Sequence, residues 1–357
     1  MKRILCMLLA LCMMFALVAC GQKTEPAPAP AEKPAEAPAA APAEAAPAKV
    51  EVDLTGFSEG WEYTDVGKKV IGIVPWTMAQ EFNSICAETA KARCEALGWE
   101  ATIYDPDADW TQMQSILEDL IVQGVDGIIF TAIDAAAAST MVDRCHEAGI
   151  VIVDYDCCAD AGNADMDVVY NDAMGGQIGA ELMMEALGGK KDATIIVYEA
   201  EPAIASSGLR NNGFLDWMAE NYPDVTIIQN RTTNRTNDGF YQWGLDMYTA
   251  YPEVDGIWLN QGDLATSVWY ALDSVGADHV KIVGYDATSS HLQIMLDKGP
   301  DCNFYASIGM FPDVYATVCV EKLNEIFAGT YKRTGPEDKV MMDPIPLIAS
   351  EAMNWKH

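Results

Sequence analysis

Short apolar runs alternate with amphipathic stretches along most of the chain. Runs such as KVIGIVP, DGIIFTA and GIVIVDYD are rich in β-branched residues, which is typical of strands buried on both faces of a parallel sheet. Between such runs, apolar residues recur at helical spacing, for example from Phe82 to Leu97, and that stretch ends at Gly98. This alternation predicts an α/β fold with doubly wound parallel sheets, and the number of strands favours two lobes.

Polar and aromatic side chains follow five of the predicted strands. The segments that follow are PWTMAQEFN, DYDCCAD, EAEPAIASSGLRNNGF, NQGD and DATSS. In doubly wound sheets, ligands bind at the carboxyl ends of the strands. Carboxylate, amide, guanidinium and indole groups at those ends favour a cleft for a small polar molecule.

The N-terminus has the pattern of a signal peptide. Lys2 and Arg3 precede an apolar segment from Ile4 to Val18, which is too short and wrongly flanked for a stable membrane span. We therefore predict a signal peptide over residues 1–19. The sequence LVACG resembles the lipobox of bacterial lipoproteins, which implies a lipid on Cys20; a plain secretion signal with an incidental cysteine is the alternative.

A segment of low complexity follows. Residues 22–49 are almost entirely Ala, Pro, Glu and Lys, and such a composition has too little apolar surface to offset the entropy of ordering. We predict a disordered tether over residues 20–65. The protein would then lie outside the cytoplasm, anchored by its lipid on the outer face of the cytoplasmic membrane or in the periplasm.

The net charge and the number of cysteines further restrict the class of protein to which the chain can belong. A formal net charge of −31 disfavours nucleic acid and direct bilayer contact, so the Cys20 lipid is the expected membrane contact. Of ten cysteines, three lie within the first twenty residues, and the remaining seven cannot all pair with one another. Four fall in helical patterns and are predicted to be small core residues: Cys86, Cys94, Cys145 and Cys319.

Several segments, taken together and in order, resemble the ribose- and galactose-type periplasmic binding proteins, the sugar-binding receptors of ABC importers. They are GIVPWTMAQEFN, DGIIF, IVIVDYD, NDAMGGQIGAE, SSGLRNNGF, DGIWLNQGDLA, KIVGYDAT and YASIGMFPD, and they extend over residues 69–349. The resemblance implies the periplasmic-binding-protein type I fold: two Rossmann-like lobes joined by three crossovers, near Asn171, Met310 and Met341. The first lobe would comprise residues 66–170 plus 311–341, and the second 171–310 plus 342–357.

The resemblance also implies a set of ligand contacts. Asp156 and Asp286 would accept hydrogen bonds from sugar hydroxyls and Arg210 would donate them, since planar charged groups can engage two vicinal hydroxyls. Aromatic side chains would stack on the apolar face of the sugar ring. The full predicted set is Trp76, Gln80, Phe82, Asn83, Asp156, Cys157, Arg210, Asn260, Gln261, Asp286 and Met310. Because relatives often have Arg, Asn and Gln where this chain has Cys157, Gln261 and Met310, ribose itself is not assumed.

Cys157 and Cys158 leave two interpretations open. They are either free thiols, one buried and one facing the cleft, or a vicinal disulfide that offers an apolar platform.

The loop from Asp105 to Asp109 begins like a calcium loop, but Trp110 replaces the required glycine. The glycines in GGQIG favour close helix packing over a nucleotide-binding loop. No metal or cofactor is expected.

The sequence therefore predicts a monomeric, non-enzymatic binding lipoprotein. It would capture a neutral sugar or polyol and deliver it to an ABC permease and its ATPase. A strongly anionic ligand is disfavoured, because Arg210 is the one cation that the pattern places in the cleft. The alternatives are a receptor that feeds a chemoreceptor or sensor kinase and, with no catalytic motif to support it, a secreted sugar-active enzyme.

Overall fold

A computed structural model describes residues 54–202 and 204–355 of the chain. The predicted signal peptide, the lipid on Cys20 and the tether up to residue 53 lie outside these residues. The strands, in chain order, are β1 (Val70–Val74), β2 (Glu100–Ile103), β3 (Gly127–Phe130), β4 (Val151–Tyr155), β5 (Met166–Tyr170), β6 (Thr194–Tyr198), β7 (Thr226–Asn230), β8 (Gly256–Trp258), β9 (Lys281–Asp286), β10 (Phe304–Gly309), β11 (Val340–Met342) and β12 (Ile345–Ile348).

Helices connect almost all of these strands. They are α1 (Glu81–Ala96), α2 (Trp110–Gln123), α3 (Ala135–Glu147), α4 (Asp172–Ala186), α5 (Ala205–Asn221), α6 (Asn237–Ala250), α7 (Gly262–Ser274), α8 (Ser289–Lys298) and α9 (Pro312–Phe327), with a 3-10 helix over Ala349–Asn354. The helix that the spacing predicted from Phe82 to Leu97 forms as α1, and it ends just before Gly98. Within the described part of the chain, no helix is both long enough and apolar enough to span a bilayer.

The strands form two six-stranded sheets. The first has the order β11-β5-β4-β3-β1-β2, and the second has the order β12-β10-β9-β8-β6-β7. All pairs are parallel except β10–β12. Helices α1, α2, α3 and α9 pack on the first sheet, and α4 to α8 pack on the second. The predicted α/β class with two lobes is therefore confirmed.

The chain passes between the lobes three times. It leaves the first sheet after Tyr170, returns after Gly309 and crosses again between Met342 and Ile345. The third passage lies just beyond the predicted Met341, because Met342 still pairs with Tyr170 in the first sheet.

Both faces of each sheet are buried, as the continuous apolar runs indicate. In β1, Ile73 packs on one face with α1 and α9, whereas Val74 packs on the other with α2 and α3. Ile195 and Ile196 divide in the same way in the second lobe. Each such side chain contributes roughly 1.5–3 kcal/mol through burial.

The predicted tether is shorter than expected at its C-terminal end. The Ser58 amide and hydroxyl donate to the Glu321 carboxylate at 2.7 and 3.0 Å, and the Thr64 amide donates to Asn324 Oδ1 at 3.1 Å. Phe57 and Trp61 stack with their centroids 4.8 Å apart. These aromatic residues supply the apolar surface that the Ala/Pro-rich segment lacks, so residues 57–64 pack on the first lobe.

Candidate ligand-binding site

A cleft of ≈ 690 Å³ lies between the lobes at the carboxyl ends of the strands. All eleven residues of the predicted set line it: Trp76, Gln80, Phe82, Asn83, Asp156, Cys157, Arg210, Asn260, Gln261, Asp286 and Met310. Seven further residues were not predicted: Ile204, Ser206, Ser207, Arg235, Gly262, Asp263 and Thr288.

Arg210 is the central cation of the cleft. It belongs to α5 and is 5% exposed. Its Nε donates to Asp172 Oδ1 at 2.8 Å, its Nη1 donates to the Asn260 carbonyl at 3.0 Å, and its guanidinium lies 4.2 Å from the centre of the Tyr285 ring. All three partners belong to the second lobe, which therefore holds the guanidinium in place by itself.

Two glycines allow the helix that carries Arg210 to lie against α4. A Cβ at Gly176 would collide with the Arg210 carbonyl oxygen, and a Cβ at Gly213 would collide with the Ala173 carbonyl oxygen. The two helix backbones are therefore in direct contact at Gly176, while Gly175 and Gly179 of GGQIG let α4 lie close to Tyr285 and Trp258 of the sheet. Asp172, the first residue of α4, consequently lies within reach of Arg210.

Arg210 also joins the two lobes. Its Nη2 donates to Asp156 Oδ1 at 3.2 Å and lies 3.2 Å from Met310 Sδ, while its Nη1 lies 3.8 Å from Asp286 Oδ1. Burial raises the pKa of Asp156 and Asp286, and the Arg210 charge opposes this shift. Burial likewise raises the pKa of Asp172 to about 6, again against Arg210. The Arg210 guanidinium is thus the main charge that favours the ionised form of these three carboxyl groups.

Asp156 and Asp286 share an unusual backbone conformation. Their φ angles are 59° and 79°, in the left-handed region that few residues other than glycine adopt. Each residue stands at the carboxyl end of the fourth strand of its lobe. Left-handed residues of this kind concentrate at binding sites, where the surrounding structure holds them.

A buried histidine supports the Asp286 turn. His291 is fully buried, and its Nε2 lies 3.1 Å from the Gly262 carbonyl, so Nε2 donates and Nδ1 accepts from Ser307 Oγ at 2.9 Å. Ser307 Oγ in turn accepts from the Ala287 amide, and Asp286 Oδ2 accepts from the Gly262 amide at 2.7 Å. Burial lowers the pKa of His291 to about 4, so the ring is neutral at pH 7.

The first lobe supplies an aromatic and amide wall. Phe82 packs edge-on against Tyr315 with centroids 5.8 Å apart, and Asn83 Nδ2 donates to Gln80 Oε1 at 2.9 Å. Trp76 is half-buried at the same wall. Such rings suit the apolar face of a sugar.

Asn260 and Gln261 lie on the opposite wall. Asn260 Nδ2 donates to Asn211 Oδ1 and to the Tyr198 carbonyl, so the amide orientation is fixed. Its Oδ1 is buried and has no hydrogen-bond partner among the described residues. Gln261 Oε1 accepts from Arg235 Nη2 at 2.9 Å, which brings a second cation to the cleft.

Cys157 and Cys158 point in different directions. Cys157 Sγ lies 3.4 Å from Ser206 Oγ of the second lobe, whereas Cys158 faces Asp154 and Asp167 inside the first lobe. Both are free thiols, and burial raises the pKa of each. The interpretation as one buried and one cleft-facing thiol therefore fits the structure, and the vicinal disulfide does not.

The acidic cluster behind Cys158 has structural partners. Asp167 binds both Nη atoms of Arg333, and Asp154 Oδ2 accepts from the Ala159 amide at 2.9 Å. In the Asp105–Asp109 loop, the Asp109 carboxylate caps α2 by accepting from the Gln112 amide. Asp167 and Asp109 therefore have partners within the protein, whereas Asp154 Oδ1 is buried without a hydrogen-bond partner among the described residues.

A separate contact joins the lobes beside the cleft. The Glu81 carboxylate, on α1, accepts from the Ser289 amide at 3.0 Å and from Ser290 Oγ at 2.8 Å. Ser289 is the first residue of α8, so the carboxylate lies at the positive end of that helix.

Two α/β lobes, three crossovers and a polar cleft at the strand ends define a hinged binding protein of the periplasmic type. Residues 71–330 match the family model described as periplasmic binding protein domain. The chain belongs to this family.

Curated relatives agree with this assignment. The ribose import binding protein of Bacillus subtilis is 24% identical over 263 residues, which cover 72% of this chain and 82% of that protein. The D-apiose import binding protein of Paraburkholderia graminis is 24% identical over 222 residues, covering 62% and 70%. These relatives are named as binding proteins, in line with the expectation of a non-enzymatic role.

Solved structures share the fold. A solute-binding protein from Actinobacillus succinogenes with bound D-allose superposes with a TM-score of 0.72 at 20% identity, covering 80% of this chain and all of that one. The myo-inositol binding protein of Caulobacter superposes with a TM-score of 0.71 at 19% identity, covering 80% and 95%.

Proposed function

We propose that this protein is an extracytoplasmic solute-binding lipoprotein that captures a sugar or sugar-like polyol in the interlobe cleft. It then delivers the ligand, as a monomer, to an ABC permease and its ATPase. The observation that carries the proposal is the convergence of Asp156, Arg210 and Asp286 from two lobes onto one cleft.

The chemistry of the cleft suits a polyhydroxylated molecule. Carboxylates accept from hydroxyl groups, and the Phe82 and Trp76 rings offer apolar faces to a sugar ring. The named ligands of the relatives and fold neighbours, among them ribose, apiose, D-allose and myo-inositol, belong to this class.

Ligand binding would favour the closed arrangement of the lobes. Asp156 lies on the first lobe and Asp286 on the second, so a ligand that bonds both gains its full interaction energy in the closed state. The permease would then distinguish the closed, loaded protein from the open one.

The test is a thermal-shift screen of monosaccharides and polyols on the purified protein, followed by calorimetric titration. A compound that binds with micromolar affinity raises the melting temperature at millimolar concentration. Failure of every pentose, hexose and cyclitol to shift the melting temperature would contradict the proposal.

Membrane attachment through Cys20 is part of the same proposal. It is supported by the LVACG sequence after an apolar segment. Cys20→Ser should release the protein from the membrane fraction of its producing cells, and Cys12→Ser should leave it membrane-bound. Equal membrane retention of both variants would contradict lipidation at Cys20.

A further inference from the structure

The charges in and beside the cleft do not balance. Two guanidinium groups, those of Arg210 and Arg235, face four carboxylates, those of Asp156, Asp172, Asp263 and Asp286. The sequence disfavoured a strongly anionic ligand because it placed Arg210 alone in the cleft. The structure adds one cation and also adds two carboxylates.

The two cations are engaged to different degrees. Arg210 donates to Asp172, to the Asn260 carbonyl and to Asp156, and it also lies against Met310. Arg235 donates through Nη2 to Gln261, and its Nε is buried without a hydrogen-bond partner among the described residues, so it can donate to a ligand oxygen. Neither guanidinium has an ion pair with Asp263.

Asp263 is the carboxylate without a partner. It lines the cleft as the second residue of α7, and it makes no hydrogen bond or ion pair within residues 54–202 and 204–355. Burial, followed by the charges of Asp286 and Glu81, raises its pKa to about 6. At pH 7 the group is therefore ionised in half-buried surroundings that disfavour its charge.

A favourable interaction with the helix dipole does not fully explain why Asp263 stands at the start of α7. An acidic residue in a first turn interacts favourably with the helix dipole, and Asp238 has the same place in α6. Asp238, however, is exposed and lies outside the cleft, whereas Asp263 faces the site where a ligand would sit.

A second unsatisfied acceptor lies in the same cleft. Asn260 is 1% exposed, and its Oδ1 has no partner among the described residues because its Nδ2 is fixed by Asn211 and Tyr198. A buried acceptor without a partner costs free energy, and a donor group on a ligand in the cleft can remove that cost. The cleft thus offers a lone carboxylate and a lone carbonyl oxygen.

We propose that the ligand is an amino-substituted sugar or polyol whose ammonium group binds Asp263 while another of its donors satisfies Asn260 Oδ1. This inference rests on the proposed sugar-binding function. The ammonium group of such a ligand brings the positive charge and the hydrogen-bond donors that the unpartnered acceptors lack. The hydroxyl groups of the ligand would donate hydrogen bonds to Asp156 and Asp286, as those of a neutral sugar would.

The experiment compares matched compounds by calorimetric titration of the purified protein at pH 7. The probes are D-glucosamine, D-galactosamine and an inosamine, each with its neutral parent, and the two amino sugars also with their N-acetyl forms. We expect at least one amine to bind about tenfold or more tightly than its parent. Asp263→Asn should abolish that preference, and Asp238→Asn should preserve it.

The outcomes separate this inference from the proposed function. Binding of neutral parents with no preference for any amine would overturn the inference and leave sugar binding intact. A preference that survives Asp263→Asn would overturn the role of Asp263. If neither the amines nor their neutral parents bind, the inference is overturned, whereas the proposed function is decided separately by the thermal-shift screen of pentoses, hexoses and cyclitols.

Discussion

The two lobes present the same Tyr–Asp pair to the cleft in different settings. Tyr155 ends β4 and Asp156 follows it, whereas Tyr285 and Asp286 are the last two residues of β9; both aspartates have a left-handed φ. Tyr285 packs on Arg210, and Asp286 accepts from the Gly262 amide, all within the second lobe. Tyr155 instead packs near Tyr315, and the partner that Asp156 finds on the opposite lobe is Arg210.

This difference indicates a division of labour. The second lobe holds a half-site that its own contacts preorganise, whereas the first lobe completes the site when the lobes meet. Preorganised groups lose little entropy on binding. We therefore expect the ligand to meet the second lobe first and closure to add Asp156.

The largest effect should follow the loss of the shared guanidinium. Arg210→Ala leaves Asp172 buried and unpaired, which should lower the unfolding free energy by about 3–5 kcal/mol and abolish detectable binding. Chemical denaturation and calorimetric titration measure the two effects.

A double variant separates stability from binding. Arg210→Ala with Asp172→Asn removes the unpaired charge and should recover part of the lost stability, but it should not recover binding. Recovery of binding would show that the half-site does not depend on this guanidinium.

Acid should loosen the second lobe through His291. The folded-state pKa of about 4 lies below the ordinary value of about 6.5, so the unfolded chain binds more protons between these pH values. The His291 contribution to stability is therefore present above pH 6.5 and is lost as the pH falls towards 4, by on the order of 3 kcal/mol.

Asp172 and Asp263 act in the opposite direction. Their raised pKa values of about 6 add stability as the pH falls from 6 towards 4, so the total curve is flatter than the His291 term alone. The measurement is therefore a difference: unfolding free energies of the wild type and His291→Gln at pH 7 and 4.5. Parallel pH dependence in the two proteins would contradict the role of His291.

Substitution of Asp156 and of Asp286 tests directly whether the second lobe is more preorganised than the first. Asp286→Asn should weaken binding and also lower the melting temperature of the unliganded protein, because Asp286 Oδ2 holds the start of α7. Asp156→Asn should weaken binding by a similar factor, about tenfold, with little change in that melting temperature. Equal thermal effects would show that the two lobes are equally preorganised.

The smallest effect should come from the contact beside the cleft. Glu81→Gln weakens the hydrogen bonds to Ser289 and Ser290 that form between the lobes, at a cost of about 1 kcal/mol. Dissociation of the ligand should accelerate several-fold while association stays unchanged, as stopped-flow fluorescence can measure. Glu88→Gln, at an exposed position of α1, is the control and should match the wild type.

The α/β fold and the central charged residues of the cleft could be predicted from the sequence. Continuous β-branched runs specify strands buried on both faces, and polar residues that follow such strands meet at one edge of the sheet. Asp156, Arg210 and Asp286 could be placed for that reason, with the family resemblance supplying their roles.

Arg235 and Asp263 were missed for physical reasons. Arg235 follows β7, an edge strand, and a long side chain is needed to reach the cleft from there. Asp263 has the position of an ordinary first-turn helix acid, and its lack of a partner depends on tertiary packing. The orientation of Cys157 and Cys158 follows the left-handed φ of Asp156, which composition and spacing do not reveal.

The close approach of helices α4 and α5 at Gly176 and Gly213 has a consequence for how this protein can diversify. The backbone at Arg210 depends on these two glycines, and its guanidinium is held by Asp172 and Tyr285; none of the four residues lines the cleft. Side chains around the cleft can therefore be exchanged while the anchoring arginine keeps its place. A library that randomises the lining and preserves both glycines would be a sound starting point for biosensors with new ligands.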